Sequence, residues 1–225
     1  MDAIIFFDIR NFSAHRQYLA QTHAARSLSD LVKKLLEKAV SVSKAYMRAF
    51  DITKLPLLNH TGDGFVLVFR DGRSCLAALK FVSEFREFAE KAIGIYQRRF
   101  PNGGATSKAK GRLPPPLYYG MGVHCGFVTM RYYQGFSGKR TFFLGSAVNI
   151  AGRVEGCTKD HPCPVLCTSD VLSKARKELG KPSALGFDRH FHSLGPHNLR
   201  GLEGSVELVQ CDPGLQFFLK KHGNY

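Results

Sequence analysis

The amino-terminal third of the chain contains two short apolar runs, and each lies beside a turn. The first run, Ala3–Phe7, ends at Asp8; the second, Phe65–Phe69, follows the turn Gly62-Asp63-Gly64. Short runs that are rich in aromatic and branched residues and are bounded by Gly, Asp and Asn predict buried β-strands. The sequence therefore places an acidic residue at the end of one strand and another at the start of the next.

Two longer segments carry hydrophobic residues at helical spacing. The first runs from Leu28 to about Phe50 and the second from Ser74 to about Arg99. The apolar stripe of the first is formed by Leu28, Leu31, Val32, Leu35, Leu36, Ala39 and Val40. The stripe of the second is formed by Cys75, Leu79, Val82, Phe85, Ala89, Ile93 and Tyr96. Both stripes are typical of helices that pack on a core.

The second half of the chain returns to strand patterns. Residues Tyr118–Val128 predict a strand, a glycine turn and a second strand, and residues Phe142–Glu155 predict a strand end that leads into a helix. Between the two halves, the polar stretch at about 101–116 predicts a mobile loop because it has little apolar surface to bury. We expect an α+β fold in a single domain over residues 1–225, with an antiparallel-rich sheet flanked by helices.

Length and composition limit the class of protein. A chain of 225 residues can bury one real core. It contains no apolar run of about 18 residues and no basic segment before the first strand, so we expect neither a membrane span nor a signal peptide, and a cytoplasmic location. The six cysteines show no regular framework, which favours reduced thiols.

The chain is strongly basic, with a net charge of +14 and an isoelectric point near 9.7. Such a balance usually indicates a polyanionic partner. Nucleic acid is one interpretation, but the basic residues are dispersed, only 108–112 is locally dense, and no recognition motif is present. We do not expect specific nucleic-acid binding, because a site for a small polyanion would draw on the same positive field.

Asp8 and Asp63 are the first candidate functional residues. If two antiparallel central strands carry them, both carboxylates lie at one edge of the sheet, close enough to share hard cations with oxygen ligands and water. Each acid alone has an ordinary explanation, since Asp favours turns and Asp-Gly is a common hairpin signal. Together with the segments above, the pair points instead to nucleoside triphosphate chemistry.

The order of these segments resembles the class III nucleotidyl cyclase catalytic domain, the family of adenylate and guanylate cyclases. The resemblance runs from about Ile4 to about Gln210. It rests on five motifs in order: the Asp-Ile-x-x-Phe start, the Gly-Asp hairpin, the Gly-x-His-x-Gly turn, the Gly-x-x-Val-Asn-x-x-x-Arg helix and the late Leu-Arg-Gly. It implies a ferredoxin-like βαββαβ core with an appended arm, and a homodimer whose active sites form between two protomers.

The resemblance also implies roles for the candidate residues. Asp8, Asp63 and the Ile9 carbonyl would hold two divalent metal ions, Mn²⁺ or Mg²⁺, which clamp the attacking and leaving oxygens. Amides from Arg10 through Asn11 to Phe12, near a helix start, can cradle the β- and γ-phosphates.

Three further residues complete the implied site: Asn149 positions the ribose, Arg153 stabilises charge on the α-phosphate, and Arg200 replaces the usual polyphosphate lysine. Asn149 and Arg153 lie four apart, so they share one helix face. The alternative is that Asn149 caps this helix and that Arg153 pairs with Glu155 or Glu203.

The positions implied to read the base differ from both purine patterns. Adenylate cyclases carry a Lys four residues before the hairpin Asp, and an Asp or Thr before the asparagine motif, where guanylate cyclases have Glu and Cys. This chain has Asn59 and Phe142. The Asn59 amide can form hydrogen bonds with the edge of a pyrimidine base, and the Phe142 ring narrows the pocket. Alternatively, Phe142 is a core residue and Asn59 a polar residue beside the hairpin.

A standalone cyclase without purine determinants resembles the pyrimidine cyclases of the bacterial Pycsar anti-phage systems. That resemblance implies conversion of UTP, or of CTP, to a 3′,5′-cyclic monophosphate that a separate effector protein senses. We prefer a uridylate over a cytidylate cyclase. Two alternatives stay open: an adenylate or guanylate cyclase with an atypical pocket, and an inactive cyclase-like module that binds nucleotide or a partner.

The remaining histidines and cysteines give weaker signals. Cys157, His161, Cys163 and Cys167 lie close in sequence, but their spacing is not that of a structural zinc site and the intervening prolines restrict the backbone. His124 has no partner nearby in sequence, which favours a structural role.

Overall fold

The structure is a computed structural model that describes residues 1–20, 25–99, 114–135, 138–180 and 186–222. The polar loop predicted at about 101–116 lies, up to residue 113, outside the described residues.

The amino-terminal half of the chain alternates between strands and helices. Its elements are β1 (Asp2–Arg10), α1 (Phe12–Ala20), α2 (Ala25–Ala49), β2 (Leu57–His60), β3 (Gly64–Phe69), α3 (Ser74–Gln97) and β4 (Tyr118–Gly126). The predicted helices from Leu28 and from Ser74 are confirmed as α2 and α3. The apolar runs around Ile5 and Leu67 form β1 and β3.

The carboxy-terminal half adds a hairpin, three strands and three helices among the described residues. These elements are β5 (Thr129–Gly135), β6 (Gly138–Leu144), α4 (Ser146–Cys157), β7 (Val165–Thr168), α5 (Ser169–Leu179), β8 (Phe191–His197), β9 (Val206–Cys211) and α6 (Leu215–His222). Short 3₁₀ turns occupy Thr158–Asp160 and Asp188–His190. The predicted junction of a strand with a helix before Asn149 is confirmed as β6 followed by α4.

The strands form one seven-stranded sheet in the order β2-β3-β1-β4-β7-β9-β8, and β5 pairs with β6 in a separate hairpin. All neighbours in the large sheet are antiparallel except β4 and β7. The path from β1 to β4 is the expected βαββαβ core, with α1 and α2 sharing the first crossover. The α+β prediction is therefore confirmed.

The core lies on both faces of the sheet. Side chains alternate along a strand, so Ile5 and Phe7 of β1 pack in the cluster that contains the α2 and α3 stripes, whereas Ile4 packs with Ala147 and Ala151 of α4. Val40, predicted on the buried stripe of α2, is exposed instead. The helix α4 thus covers the face of β1 toward which the even-numbered residues project.

The glycine turn predicted within Tyr118–Val128 is wrong, because β4 runs without interruption from Tyr118 to Gly126. The glycines serve close packing instead of a turn. A Cβ at Gly122 would collide with the backbone of Ala151 and Glu155, so glycine lets α4 lie directly on β4. His124 lies in this strand, is buried, and its Nδ1 is 2.9 Å from the Thr168 hydroxyl of β7.

No helix in the described part of the chain is long and apolar enough to cross a membrane. All six cysteines are free thiols, with Cys167 and Cys211 in sulfur contact at 3.7 Å on neighbouring strands.

Candidate active site

The register of β1 and β3 brings the two candidate acids together. Asp8 is paired with Gly64, so Asp63, one residue earlier, lies beside it, and the two carboxyl groups share a hydrogen bond. Glycine is required at position 64, because a Cβ there would collide with the Phe7 carbonyl. Asp63 lies in the turn directly before β3, as predicted, whereas Asp8 lies within β1, which runs on to Arg10 instead of ending at the acid.

The acid pair is electrostatically strained when no cation is bound. Burial raises the pKa of Asp8 to about 7, and the negative charges of Asp63 and Glu155 and the hydrogen bond with Asp63 act in the same direction. The positive charge of Arg10 opposes them. A carboxylate that is held protonated by burial and by neighbouring acids becomes fully ionised when a cation is placed between the acids.

This strain predicts a pH dependence of stability. The folded-state pKa of Asp8 is raised from 3.8 to about 7, so the folded state holds the proton more tightly than the unfolded chain does. The free energy of unfolding should therefore fall as the pH rises from about 4 through about 7. Melting temperatures measured across this range should decline, and added Mn²⁺ should raise the melting temperature more at about pH 8 than at about pH 5.

The variant Asp8→Asn isolates this contribution from that of other titrating groups. It should show a flatter pH dependence and a smaller response to Mn²⁺ than the wild-type protein. Equal slopes and equal Mn²⁺ responses in the two proteins would contradict the assignment.

The donors at this edge of the sheet fit divalent cations. Carboxylate and carbonyl oxygens suit Mg²⁺ and Mn²⁺, and the buried side chain of Ile9 leaves its backbone carbonyl as the only ligand that this residue can supply. No group of three or more His, Cys, Asp or Glu residues within the described ranges could hold a metal by itself. Water and substrate phosphates would have to complete the coordination.

The start of α1 provides unpaired backbone amides next to the acids. Asn11 adopts a positive φ of 61°, and its carbonyl accepts the first helical hydrogen bond from the His15 amide at 2.8 Å. The first amides of a helix have no intrahelical acceptor. Residues Asn11–Ala14 line a cleft of about 1050 Å³ that also contains Asp8 and Asp63. The cleft can therefore bind an anion at this helix start.

The side chain of Arg10 is bound by Glu155 of α4 and by Thr158, which follows that helix. Its guanidinium forms an ion pair with Glu155 at 2.7 Å and also donates to the Glu155 carbonyl at 2.9 Å and to the Thr158 hydroxyl. A Cβ at Gly120 would overlap this network, so glycine leaves room for it. The sequence-based prediction for Arg10 concerned its backbone amide and stays a prediction, while its side chain ties β1 to the end of α4.

Asn149 and Arg153 lie on one face of α4, as their spacing predicted. The proposed alternatives are wrong, because Gly145 occupies the cap position and Glu155 is paired with Arg10. No ion pair links Arg153 to Glu203 within the described residues. The Nη1 of Arg153 is buried and has no hydrogen-bond partner among the described residues, so it is free to donate to an acceptor such as a phosphate oxygen.

Arg153 is also close to the loop that carries Arg200. A Cβ built on Gly201, the next residue, would lie 3.3 Å from the Nη2 of Arg153. The backbone next to Arg200 therefore lies against the guanidinium of Arg153.

The two sets of candidate residues project in different directions. Glu155 projects toward β1 and the acids, whereas Arg153, two residues away on the helix, is rotated from it by roughly 200°. Neither Asn149 nor Arg153 lines the cleft that contains Asp8 and Asp63. One protomer thus presents the acids on one side of α4 and the Asn149–Arg153 pair on the other.

The two residues expected to read the base lie in separate strands. Asn59 is half-buried in β2, opposite Val66 of β3, and Phe142 is half-buried in β6, opposite Arg131 of β5. Phe143, and not Phe142, packs against the cluster that includes Val66. Neither Asn59 nor Phe142 lines the cleft with the acids.

Solved structures with a similar fold share most of the chain. The adenylyl cyclase CyaB from P. aeruginosa is 18% identical, with a TM-score of 0.63 over 93% of this chain and 92% of that one. The guanylate cyclase domain of RhGC from Catenaria anguillulae, in complex with GTP, is 14% identical, with a TM-score of 0.61 over 93% of this chain and 94% of that one. The fold is that of the class III nucleotide cyclases.

Sequence comparison gives a weaker relation. A curated adenylate cyclase of Anabaena cylindrica is 25% identical over 169 residues, which are 75% of this chain and 30% of that protein. The chain thus matches less than a third of the length of this relative. No protein-family model matches the sequence.

Several residues of this cleft were not predicted as site residues from the sequence. Glu155 and Thr158 anchor Arg10, while Lys159 and His161 line the cleft. Gly120 could have been recognised, since an isolated glycine within a strand indicates close packing. For Lys159 no sequence signal distinguishes it from other surface lysines.

Proposed function

We propose that this protein is a nucleotide cyclase that converts a nucleoside triphosphate to its 3′,5′-cyclic monophosphate and pyrophosphate. The fold, the Asp8–Asp63 pair and the amides at the start of α1 all support this function. The relatives named above, adenylyl and guanylyl cyclases, support the same reaction class. We take residues 1–225 as one catalytic domain.

A single observation carries the proposal furthest: α4 separates the acids from Asn149 and Arg153. Within one protomer these groups project to different sides and cannot act on one phosphate. If two copies face each other, the Asn149–Arg153 face of one meets the acids of the other, which gives two composite sites by symmetry. A guanylyl cyclase domain from Blastocladiella emersonii with a similar fold is described as a non-canonical dimer, so a domain of this fold can dimerise.

The reaction is an intramolecular in-line displacement. The ribose 3′-oxygen forms a bond to the α-phosphorus, the bond from that phosphorus to the bridging oxygen breaks, and the oxygen leaves with its electron pair as part of pyrophosphate. The proton of the 3′-hydroxyl passes to solvent. Divalent ions held by Asp8, Asp63 and the Ile9 carbonyl would lower the pKa of the hydroxyl and neutralise the phosphates.

Backbone amides and side chains of the protein bind the phosphates and position the ribose. The amides of Asn11 and Phe12 bind the outer phosphates, and Arg200 pairs with them in a bidentate way. Arg153, whose buried Nη1 lacks a partner, stabilises the charge that develops at the α-phosphate. Asn149 holds the ribose through hydrogen bonds so that the 3′-oxygen stays in line with the leaving group.

We propose a pyrimidine substrate, UTP in preference to CTP. Phe142 narrows the pocket against a fused purine ring, and Asn59 pairs with the pyrimidine edge. A base that does not match would leave Asn59 unpaired, and such unpaired buried groups discriminate strongly. The product would serve as a messenger in anti-phage defence, sensed by a separate effector. The competing hypothesis, a purine cyclase, is supported by the substrates named for the similar proteins.

The decisive experiment is to incubate the purified protein with ATP, GTP, CTP and UTP in turn, each with Mn²⁺, and to identify the cyclic product by mass spectrometry. We expect cyclic UMP as the main product. No cyclic product from any nucleotide would reject the cyclase function in favour of an inactive binding module.

Two variants test the base pocket. Phe142→Ala should raise the rate on ATP or GTP relative to UTP by about tenfold, because removing the ring makes room for a second ring. Asn59→Ala should lower kcat/KM for UTP by about tenfold, with the response of the melting temperature to Mn²⁺ unchanged. Phe143→Ala is the matched control for ring loss at the neighbouring position.

An unchanged base preference in Phe142→Ala would reject the pocket assignment. Comparable wild-type rates on ATP and UTP would favour the purine hypothesis.

A further inference from the structure

The cleft contains positive groups that neither the metal site nor the residues of the partner protomer account for. Among its described lining residues, the basic side chains are Arg10, Lys159 and His161. Arg10 is already bound to Glu155. Lys159 is exposed and forms no ion pair with another described residue, and His161 is half-buried. Two basic groups thus remain available on the wall that also carries Asp8 and Asp63.

The segment that carries these groups is fixed close to the acids. Thr158 starts the turn, receives a hydrogen bond from Arg10 of β1, and donates to the Glu155 carbonyl at 2.7 Å. Lys159 follows directly. Burial raises the pKa of the Glu155 carboxyl, and the charges of Arg10 and of the nearby Lys159 oppose that rise. Lys159 is therefore held next to Thr158, which contacts Arg10. Arg10 lies two positions from Asp8 along β1.

His161 is held from two sides. It precedes Pro162, and a residue before proline favours an extended backbone, which His161 adopts with φ −128° and ψ 148°. Its ring meets the ring of His197 edge to face at 5.6 Å, and the Nδ1 of His197 is 3.0 Å from the Gly195 carbonyl. The ring of His161 is thus positioned at the cleft before any ligand binds.

The acids on this wall do not form ion pairs with Lys159 or His161 among the described residues. Asp8 and Asp63 fit the cation site, and Glu90 is occupied by Arg86 at 3.0 Å and by the Tyr119 hydroxyl at 2.9 Å. A ligand with several negative charges suits a cleft that pairs a cation site with free donors. An amine and an imidazole N–H together match the oxygens of a diphosphate group.

We infer that Lys159 and His161 form a diphosphate-binding subsite on the same protomer as Asp8 and Asp63. The subsite takes the β- and γ-phosphates of the bound substrate and holds the pyrophosphate once it has left. The inference deepens the proposed cyclase function by assigning the leaving group to residues of the metal-binding protomer. Arg200 of the other protomer then contacts these phosphates from the opposite side.

The test is calorimetric titration of the full chain with inorganic pyrophosphate in the presence of Mn²⁺, which needs no turnover. Lys159→Ala should weaken pyrophosphate binding by about tenfold and His161→Ala by about fivefold. Lys159→Arg should keep most of the affinity because it keeps the charge. Melting temperatures establish that each variant is folded.

Matched controls separate a local contact from the general positive field. Lys91→Ala removes the same charge from an exposed site on α3, and His192→Ala removes an exposed histidine on β8. Both controls should bind pyrophosphate as the wild-type protein does. Wild-type affinity in Lys159→Ala and His161→Ala, or an equal loss in Lys91→Ala, would overturn the inference.

Measurements of KM and of product inhibition show whether the subsite binds the triphosphate substrate or the pyrophosphate product. If KM for the substrate rises together with the loss of pyrophosphate affinity, the subsite acts on the bound triphosphate. If only pyrophosphate affinity and product inhibition change, it acts on the departing product. A protein that binds pyrophosphate through Lys159 but cyclises no nucleotide would keep the subsite and reject the cyclase function.

Discussion

Replacing Asp63 by Asn should lower the rate of cyclic nucleotide formation by at least about 1000-fold, with every nucleoside triphosphate. The side chain keeps its size but loses the charge that, with Asp8, attracts the divalent cations. Without them the 3′-hydroxyl is a poor nucleophile and the phosphates repel it. Product formation at saturating Mn²⁺, followed by chromatography, measures the effect.

The same substitution should not destabilise the protein. Asp63 raises the pKa of Asp8 by its charge and by a hydrogen bond, so removing that charge relieves repulsion between buried groups. We expect the melting temperature without metal to be equal or higher at about pH 8. Asp30→Asn, on the exposed side of α2, is the control and should have wild-type activity. Near wild-type turnover in Asp63→Asn would refute the metal site.

Mixing two inactive variants should restore activity if the site is composite. Asp63→Asn inactivates the protomer that supplies the acids, and Arg153→Ala inactivates the protomer that supplies the phosphate-binding arginine. In a freely exchanging mixture half of the dimers are mixed, and each has one intact site, so we expect about a quarter of the wild-type activity. Turnover is measured as the ratio of the two variants is varied at constant total protein.

The control mixture combines Asp8→Asn with Asp63→Asn. Both lesions lie in the acid half, so each site in the mixed dimer keeps one lesion and the mixture should stay inactive. If mixed dimers form, as shown by differently tagged chains, and Asp63→Asn with Arg153→Ala remains inactive, the site is contained in one chain.

Much of the fold was predictable because its signals are local. The stripes of α2 and α3 repeat at helical spacing, and the runs around Ile5 and Leu67 have the length and composition of buried strands. The error within Tyr118–Val128 is instructive. Glycine is common in turns, but in β4 it makes space for α4, and only the packing of that helix distinguishes the two uses.

The sequence alone shows which residue types are present and on which elements they lie: acids beside strands, amides at a helix start, and Asn149 with Arg153 on one helix face. Which of these groups meet depends on how the elements pack. The register of β1 and β3 brings Asp8 to Asp63, and a shift of one residue would move the carboxylate of Asp8 to the other face.

The side chain of Arg10 and the cleft position of Lys159 were likewise decided by tertiary structure. Arg10 and Glu155 are 145 positions apart in sequence, and their ion pair exists because α4 lies across β1 and β4. Local helix and strand propensities carry no information about contacts between residues so far apart in sequence, since such contacts depend on how whole elements pack. The sequence therefore specifies which functional groups are present. The packing of α4 on the sheet determines that Glu155 projects toward Arg10 and the acids, and that Asn149 and Arg153 project to the other side.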